Sequence, residues 1–352
     1  METRGTLPEI ADEPTIPARY QDDLAKALSA IEMQLTGGDQ LDAASKGPDR
    51  RALAQRIRIE RASRLLARGR FADAAAGARD ALDCDRMDTT ALTIASDALL
   101  GMKDPASLMA LLDMLESSGV HSSTLLASRA NALAASNAFD ALEQLLKPSR
   151  WCKQVMIEER TRDRLAELIL SHPAMDTSSM NVASRGRNRR LEALANRNEP
   201  EIQSALSMIR RQVEIYVDER RHFAHPLMLQ YPSDTLLQGW ALETLDDGHE
   251  ARHIHVRGWL TAVYYLRVPE REVRTVSPPP GSVVFGPWPA PMHQSAHVFP
   301  GWHIEPSEGM LLIFPSFLAH QTIPTETSAS RLCLSLDVMP CPPTVLRQGL
   351  ER

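Results

Sequence analysis

The sequence predicts an α+β chain of more than one domain, with N-terminal helices arranged as repeated pairs and a C-terminal antiparallel β barrel or jelly roll. Three observations predict it. The chain has 352 residues, more than the roughly 150 that one domain usually takes. Between about residues 215 and 235 the composition shifts from Ala- and Leu-rich stretches to Val, Tyr, Trp, Pro and Gly. In the same window the apolar spacing changes from helical to short extended runs.

Residues 1–50 read as a polar tail and a first helix over 22–35, closed by a Gly, Asp and Pro loop over 37–50. Residues 51–150 read as helix pairs. Leu65-Leu66 returns as Leu99-Leu100, an offset of 34, and Phe139-Asp140-Ala141-Leu142 echoes Phe71-Ala72-Asp73-Ala74 two periods later. The small side chains of Ala74 and Ala78 suit a close helix approach. Residues 151–225 read as a helical linker, with helices over 155–170 and 187–221 around a polar loop, and its basic run 185–190 as solvated. Residues 226–352 read as the barrel. Runs at 236–245, 251–256, 259–268, 281–286, 309–316 and 331–338 have β character, bounded by turn signals at Asp246-Asp247-Gly248, 278–281 and Ser307-Glu308-Gly309. Six short strands without intervening helices suit an antiparallel barrel or jelly roll.

Composition narrows the classes of function. A net charge of −6 offers no electrostatic case for nucleic acid. Cys84, Cys152, Cys333 and Cys341 form no CxxC pair, so neither a zinc pattern nor a disulfide framework is expected, and a reducing cytoplasm fits. No apolar run approaches a membrane span, and the N-terminus has no apolar leader.

Chemistry concentrates in the barrel segment. His253 and His255 stand at i and i+2 of an extended run, so both imidazoles project to one side and can grip one metal ion. His320 follows the run ending at Phe314-Pro315, where strand pairing would bring it beside them. Arg331 opens RLCLSLDV; a guanidinium inside an apolar barrel needs an anion, and its fork matches a carboxylate. His249-Glu250-Ala251-Arg252-His253 also spells HExxH, the pattern of a zinc hydrolase with Glu250 as base. The turn before it and the β-type residues after it oppose the helix that motif needs. His293, His297 and His303 read as loop histidines, His222 and His225 as the end of the linker. Trp259, Trp288 and Trp302 are either packing or pocket rim, and Met292 is a core or loop residue.

The 34-residue period resembles the tetratricopeptide repeat over about 55–148. Trp240, then HIHVRGWLTAVYYLRVP, VVFGP, EGMLLIFPSFLAHQTIP and RLCLSLD, resembles the 2-oxoglutarate/Fe(II) oxygenase superfamily over about 236–337, and more narrowly a bacterial branch with an HxH…H…R order after helical repeats. The resemblance implies a double-stranded β-helix and Fe(II) with 2-oxoglutarate as cosubstrate. It implies His253, His255 and His320 as metal ligands, and Arg331 as the clamp on the cosubstrate's far carboxylate. Val256 and Thr261-Ala262 depart mildly from the branch. His255 stands where the superfamily has Asp, and Cys333 where it has Ser. Ser335, and Tyr264 or Tyr265, are the hydroxyls at hand for the cosubstrate, and residue parity does not choose between the tyrosines. The function implied is a dioxygenase, by default a hydroxylase, acting on a peptide, a protein or an amino-acid-derived substrate, with O2 as co-reactant. The helices would aid recognition or dimerisation. Two rivals stay open: a repeat scaffold whose barrel has lost catalysis, and a three-histidine dioxygenase that needs no 2-oxo acid.

Overall fold

The computed structural model describes residues 48–158, 162–176, 183–230, 232, 234–270, 278–286, 302–325 and 327–340. The expected tail and the helix over 22–35 lie outside the described residues, as do Trp288, Met292, His293, His297 and Cys341. Two compact units divide between Met102 and Lys103.

In the first unit α1 (Pro48–Ala67), α2 (Phe71–Cys84) and α3 (Thr89–Gly101) enclose a core of Leu65, Ala74, Ala78, Leu82, Leu92 and Leu99. Ala74 and Ala78 are fully buried, as small residues at a close helix contact would be. A Cβ on Gly101 would lie 2.8 Å from the Phe71 ring, so the helices meet where a side chain is missing.

The second unit begins with α4 (Pro105–Ser117), α5 (Ser123–Ala135), α6 (Phe139–Leu146) and the short α7 (Pro148–Trp151). Along the chain the helix starts keep the period read from the sequence. α2, α4 and α6 open at Phe71, Pro105 and Phe139, each 34 residues after the last, and α3 and α5 open at Thr89 and Ser123. The residues before these starts repeat as well. Gly69, Lys103 and Asn137 take left-handed φ values of 71°, 59° and 55°, and the Asp88 and Ser122 side chains cap α3 and α5 by accepting from backbone N–H groups. Each such cap contributes about 1 kcal/mol.

The segment 151–225, expected as a helical linker, does more than link. α8 (Arg162–Leu170) and α9 (Pro200–Arg220) are helical, but β1 (Lys153–Met156) and β2 (Ser184–Leu191) join the main sheet. The basic run 185–190 is therefore a strand and not a solvated linker. Its arginines find partners on the sheet: Arg189 pairs with Glu243, and the Arg190 guanidinium lies 4.2 Å over the Trp240 ring. Long arginine stems cover apolar surface while the heads find partners, which a polar sequence does not advertise.

After α10 (Pro226–Leu229) come β3 (Thr235–Glu250), β4 (Leu260–Arg267), β5 (Val283–Phe285), β6 (Trp302–Ile304), β7 (Met310–Pro315), β8 (His320–Thr322) and β9 (Thr327–Pro340). All pairings among the described strands are antiparallel. The larger sheet runs β1-β7-β4-β9-β3-β2 and the smaller β6-β5-β8. The turn expected at Asp246-Asp247-Gly248 is an irregularity inside the long β3, with Asp246 at φ 51°. The strand expected over 251–256 shrinks to one bridge between His253 and His320.

Helices of this unit brace the barrel through specific bonds. The Ser123 hydroxyl donates to Gly258 O (2.6 Å) and the Trp259 indole to Leu227 O (3.0 Å), while the Tyr216 hydroxyl ties α9 to α7 by donating to Trp151 O (2.7 Å). His225 bonds Leu145 O and caps α10, while His222 is exposed.

Candidate metal centre and cosubstrate pocket

Register decides what faces the barrel interior. Directly paired residues on neighbouring strands share a face. Trp240 pairs with Ser335, and Ser335 with Val263, which pairs with Leu312. The next row on the same face is Leu242, Cys333 and Tyr265. These residues line a cavity of about 40 Å³ between the two sheets, with Val283, His320 and Thr322 from the smaller sheet opposite. Arg331, paired with Thr244, also lines it, as do Glu250, His253 and His255. Tyr265 therefore faces the cavity. Tyr264 is equally buried but belongs to the opposite face, paired with Leu311 and Leu334.

Three histidines meet here. His253 and His320 exchange both backbone hydrogen bonds, at 2.9 and 3.0 Å, and the His255 N–H donates to Ser316 O at 3.1 Å. Ring centroids lie 4.4 Å apart for His253 and His320, 5.1 Å for His253 and His255, and 5.2 Å for His255 and His320. One ring nitrogen from each falls within 4.8 Å of the others. Nitrogens on one ion at about 2.1 Å can be no more than about 4.2 Å apart, close to this spacing.

The hydrogen bonds fix which nitrogen is free. Nδ1 of His253 bonds Ala251 O at 2.7 Å, and Nδ1 of His320 bonds Leu318 O at 2.9 Å. A carbonyl only accepts, so both Nδ1 atoms carry the proton. Nδ1 of His255 donates to the Asp337 carboxylate at 2.5 Å. With Nδ1 engaged, Nε2 of each ring is the nitrogen available to a metal. Burial, reinforced by the neighbouring imidazoles, pushes the His253 pKa down to about 4 and that of His320 well below its ordinary value. Both rings are neutral at pH 7 and no proton competes for the lone pair. The donor set suits Fe(II), for which imidazole is an ordinary ligand.

Arg331 is the second feature. It is buried, and its guanidinium makes two long contacts, to Gly281 O at 3.2 Å and the Thr322 hydroxyl at 3.3 Å, while Nε has no hydrogen-bond partner. A buried guanidinium so thinly satisfied is suited to a carboxylate guest. Burial raises the pKa of the neighbouring Cys333 thiol to about 11, so it remains protonated, and Ser335 shares its face.

One of the two carboxylates of the site carries no chemical signature of its own in the sequence. Asp337 lies within RLCLSLD but 82 residues from the ring it contacts. Glu250, which the HExxH spelling would make a base, lines the cavity from the end of β3, where Ser184 donates to it at 2.7 Å. That segment is extended, and His249 is not among the cavity-lining residues, so the helical zinc motif is not formed. Among the remaining candidates, Trp259 is core, Trp302 packs on Phe285, and His303 pairs with Val284 on β5.

One comparison with known proteins falls on the same segment. Residues 238–337, under a third of the chain, match the family model described as "Putative 2OG-Fe(II) oxygenase". Among solved structures the chain is similar to a Pseudomonas putida prolyl-4-hydroxylase, at 15% identity and TM-score 0.39, covering 62% of this chain and 100% of that one. It is similar to a Trichoplax adhaerens prolyl hydroxylase in complex with a hypoxia inducible factor peptide fragment, at 14% identity and TM-score 0.40, covering 58% and 91%. It is also similar to HygX from Streptomyces hygroscopicus with nickel, 2-oxoglutarate and hygromycin B bound, at 16% identity and TM-score 0.38, covering 56% and 86%. No curated protein matches the sequence. The family match over residues 238–337 and the cluster of His253, His255 and His320, a possible iron site, support an oxygenase that uses iron and 2-oxoglutarate.

Proposed function

We propose that this protein is a hydroxylase acting on a C–H bond of a peptide, a protein or an amino-acid-derived substrate. In this reading His253, His255 and His320 hold iron through Nε2, and Arg331 receives the far carboxylate of 2-oxoglutarate. Ser335 and Tyr265 line the same cavity and are the hydroxyl-bearing candidates to contact the cosubstrate. Tyr264, on the opposite face, takes no part. The observation that carries the reading is the hydrogen-bond pattern of the three rings, each with Nδ1 engaged, which leaves Nε2 as the nitrogen for a metal.

When bound, iron and 2-oxoglutarate supply the oxidising chemistry that breaks the C–H bond. The chain's own residues do the rest. His253 and His320 offer neutral donors without losing a proton. Arg331 orients the cosubstrate by its end remote from the metal, so that its reacting end is presented in one way. The apolar walls, Leu242, Val263, Leu312 and Phe314, limit water. Cys333 stays a thiol and offers no competing thiolate.

The helix starts spaced by 34 residues support a tetratricopeptide-like reading of the helical region, and such arrays offer surfaces for extended peptides. That favours a peptide or protein over a free small molecule, and the same helices are candidates for dimerisation. The test is succinate release from 2-oxoglutarate after anaerobic loading with Fe(II), first alone and then with peptide pools. Release that vanishes in His320→Ala supports the proposal. A barrel that binds neither iron nor 2-oxoglutarate would make the protein a scaffold. Metal-dependent O2 consumption indifferent to Arg331→Ala would make it a three-histidine dioxygenase without a 2-oxo acid.

A further inference from the structure

We infer that Asp337 is a positioning residue for the metal centre: its carboxylate holds His255 with Nε2 turned to the metal, and returns to the site the negative charge that a carboxylate ligand at position 255 would have brought. The inference rests on His255 being a ligand.

The three rings are not held alike. His253 and His320 each bond a carbonyl two residues back on their own chain segment, Ala251 O and Leu318 O. For His255 the carbonyl two residues back is His253 O, which already accepts from His320 N at 3.0 Å. Its Nδ1 turns instead to Asp337 Oδ1 at 2.5 Å. The carboxylate comes from β9, where Asp337 pairs with Gln238 on one side and Thr261 on the other, so its backbone is fixed from both sides. Its side chain is 15% exposed and that of His255 is 5% exposed, so water competes weakly for the bond. The Trp240 ring lies parallel to His255, 1° off and 6.0 Å away, and limits rotation on one face.

The chemistry follows from the pairing. A charge-assisted bond from Nδ1–H to a carboxylate fixes the tautomer and makes Nε2 a stronger donor. Three neutral imidazoles alone leave a divalent metal with its full charge. With Asp337 behind His255, the site carries one negative charge, as two histidines and a carboxylate would, placed one hydrogen bond further out.

Anaerobic cobalt(II) titration by calorimetry and visible absorption tests this on the full chain, comparing wild type with Asp337→Ala, Asp337→Asn and His255→Ala. Asn at 337 is nearly isosteric and its amide oxygen still accepts from Nδ1, but it carries no charge. Asp337→Ala is expected to weaken cobalt about 10- to 100-fold, and Asp337→Asn by a smaller factor, each with an altered cobalt band. Melting of the metal-free proteins shows that the variants are folded. If both Asp337 variants bind cobalt with wild-type affinity and spectrum while His255→Ala does not, Asp337 is not a positioning residue. If His255→Ala also matches wild type, His255 is not a ligand, and the three-histidine reading falls together with this inference.

Discussion

In the helical pairs the side chains that matter meet partners close by in sequence. Gln55 reaches Ala81 and Phe71 fills the space left by Gly101. In the barrel the decisive contacts join distant segments: His253 pairs with His320, Ser184 with Glu250, and His255 with Asp337, 82 residues on. The helical pairs spread their stability over many similar alanine and leucine contacts. The barrel concentrates a few polar residues on one point, where each has no substitute. Function should therefore be fragile in the barrel at little cost in stability, and stability should be graded in the helices at little cost in function.

The largest expected effect is His320→Ala. Loss of an imidazole from the set should weaken iron by more than about a hundredfold, beyond what removing a group behind a ligand usually costs, and abolish succinate release. Calorimetric iron titration checks it, and retained affinity would break the contrast at its centre. Next is Arg331→Ala, expected to raise the KM for 2-oxoglutarate by about a hundredfold, as loss of a buried charge-assisted partner does. Iron affinity should hold, and Arg331→Lys should recover part of the loss.

A third test is pH. His253 titrates near 4 in the folded protein and His320 well below its ordinary value, whereas both unfolded rings titrate near 6.5. Between those values the unfolded chain binds more protons. The metal-free protein should be at full stability above pH 6.5 and lose it progressively as pH falls towards about 4, by on the order of 2–3 kcal/mol for His253 alone. Urea unfolding at a series of pH values measures this, and a flat profile would show the rings are not buried as described.

Smaller effects come from backbone fit. A Cβ on Gly258 would lie 2.3 Å from the Ser316 hydroxyl, directly beneath the His255 turn. Gly258→Ala should cost about 1–3 kcal/mol, more than Gly101→Ala, where a flexible Phe71 ring can turn aside. Smallest is Lys103→Gly. Lys103 occupies a left-handed position that glycine holds one repeat earlier, at Gly69. The substitution should stabilise by about 1 kcal/mol, with no change in iron or 2-oxoglutarate binding. A gain there without functional consequence would sharpen the contrast.

Particular residues show how much of this was legible beforehand. The 34-residue spacing, the runs that became β3, β4, β5, β7 and β9, and the histidine and arginine candidates could all be read, because periodicity and metal-binding residue types leave marks in sequence. β2 could not, since SRGRNRRL looks solvated until Trp240 and Glu243 are placed under its arginines. The tyrosines could not be ordered, because β4 is buried on both faces, Tyr264 at 0% and Tyr265 at 2% exposed, and shows no alternation. Only the pairing of Tyr265 with Cys333 settles it. Asp337 carried no signal, because its meaning is a single bond across the barrel.

The sequence alone determined the alternation of helix pairs, the change to short strands, and the residue types that can hold iron and an anion. These follow from local steric preference and from the period at which side chains return to one face. The tertiary structure decided which residues share a cavity, which tyrosine faces it, and which carboxylate stands behind His255. Those outcomes depend on strand register, set by packing across the whole barrel, where a shift of one residue would turn every side chain of a strand to the other face.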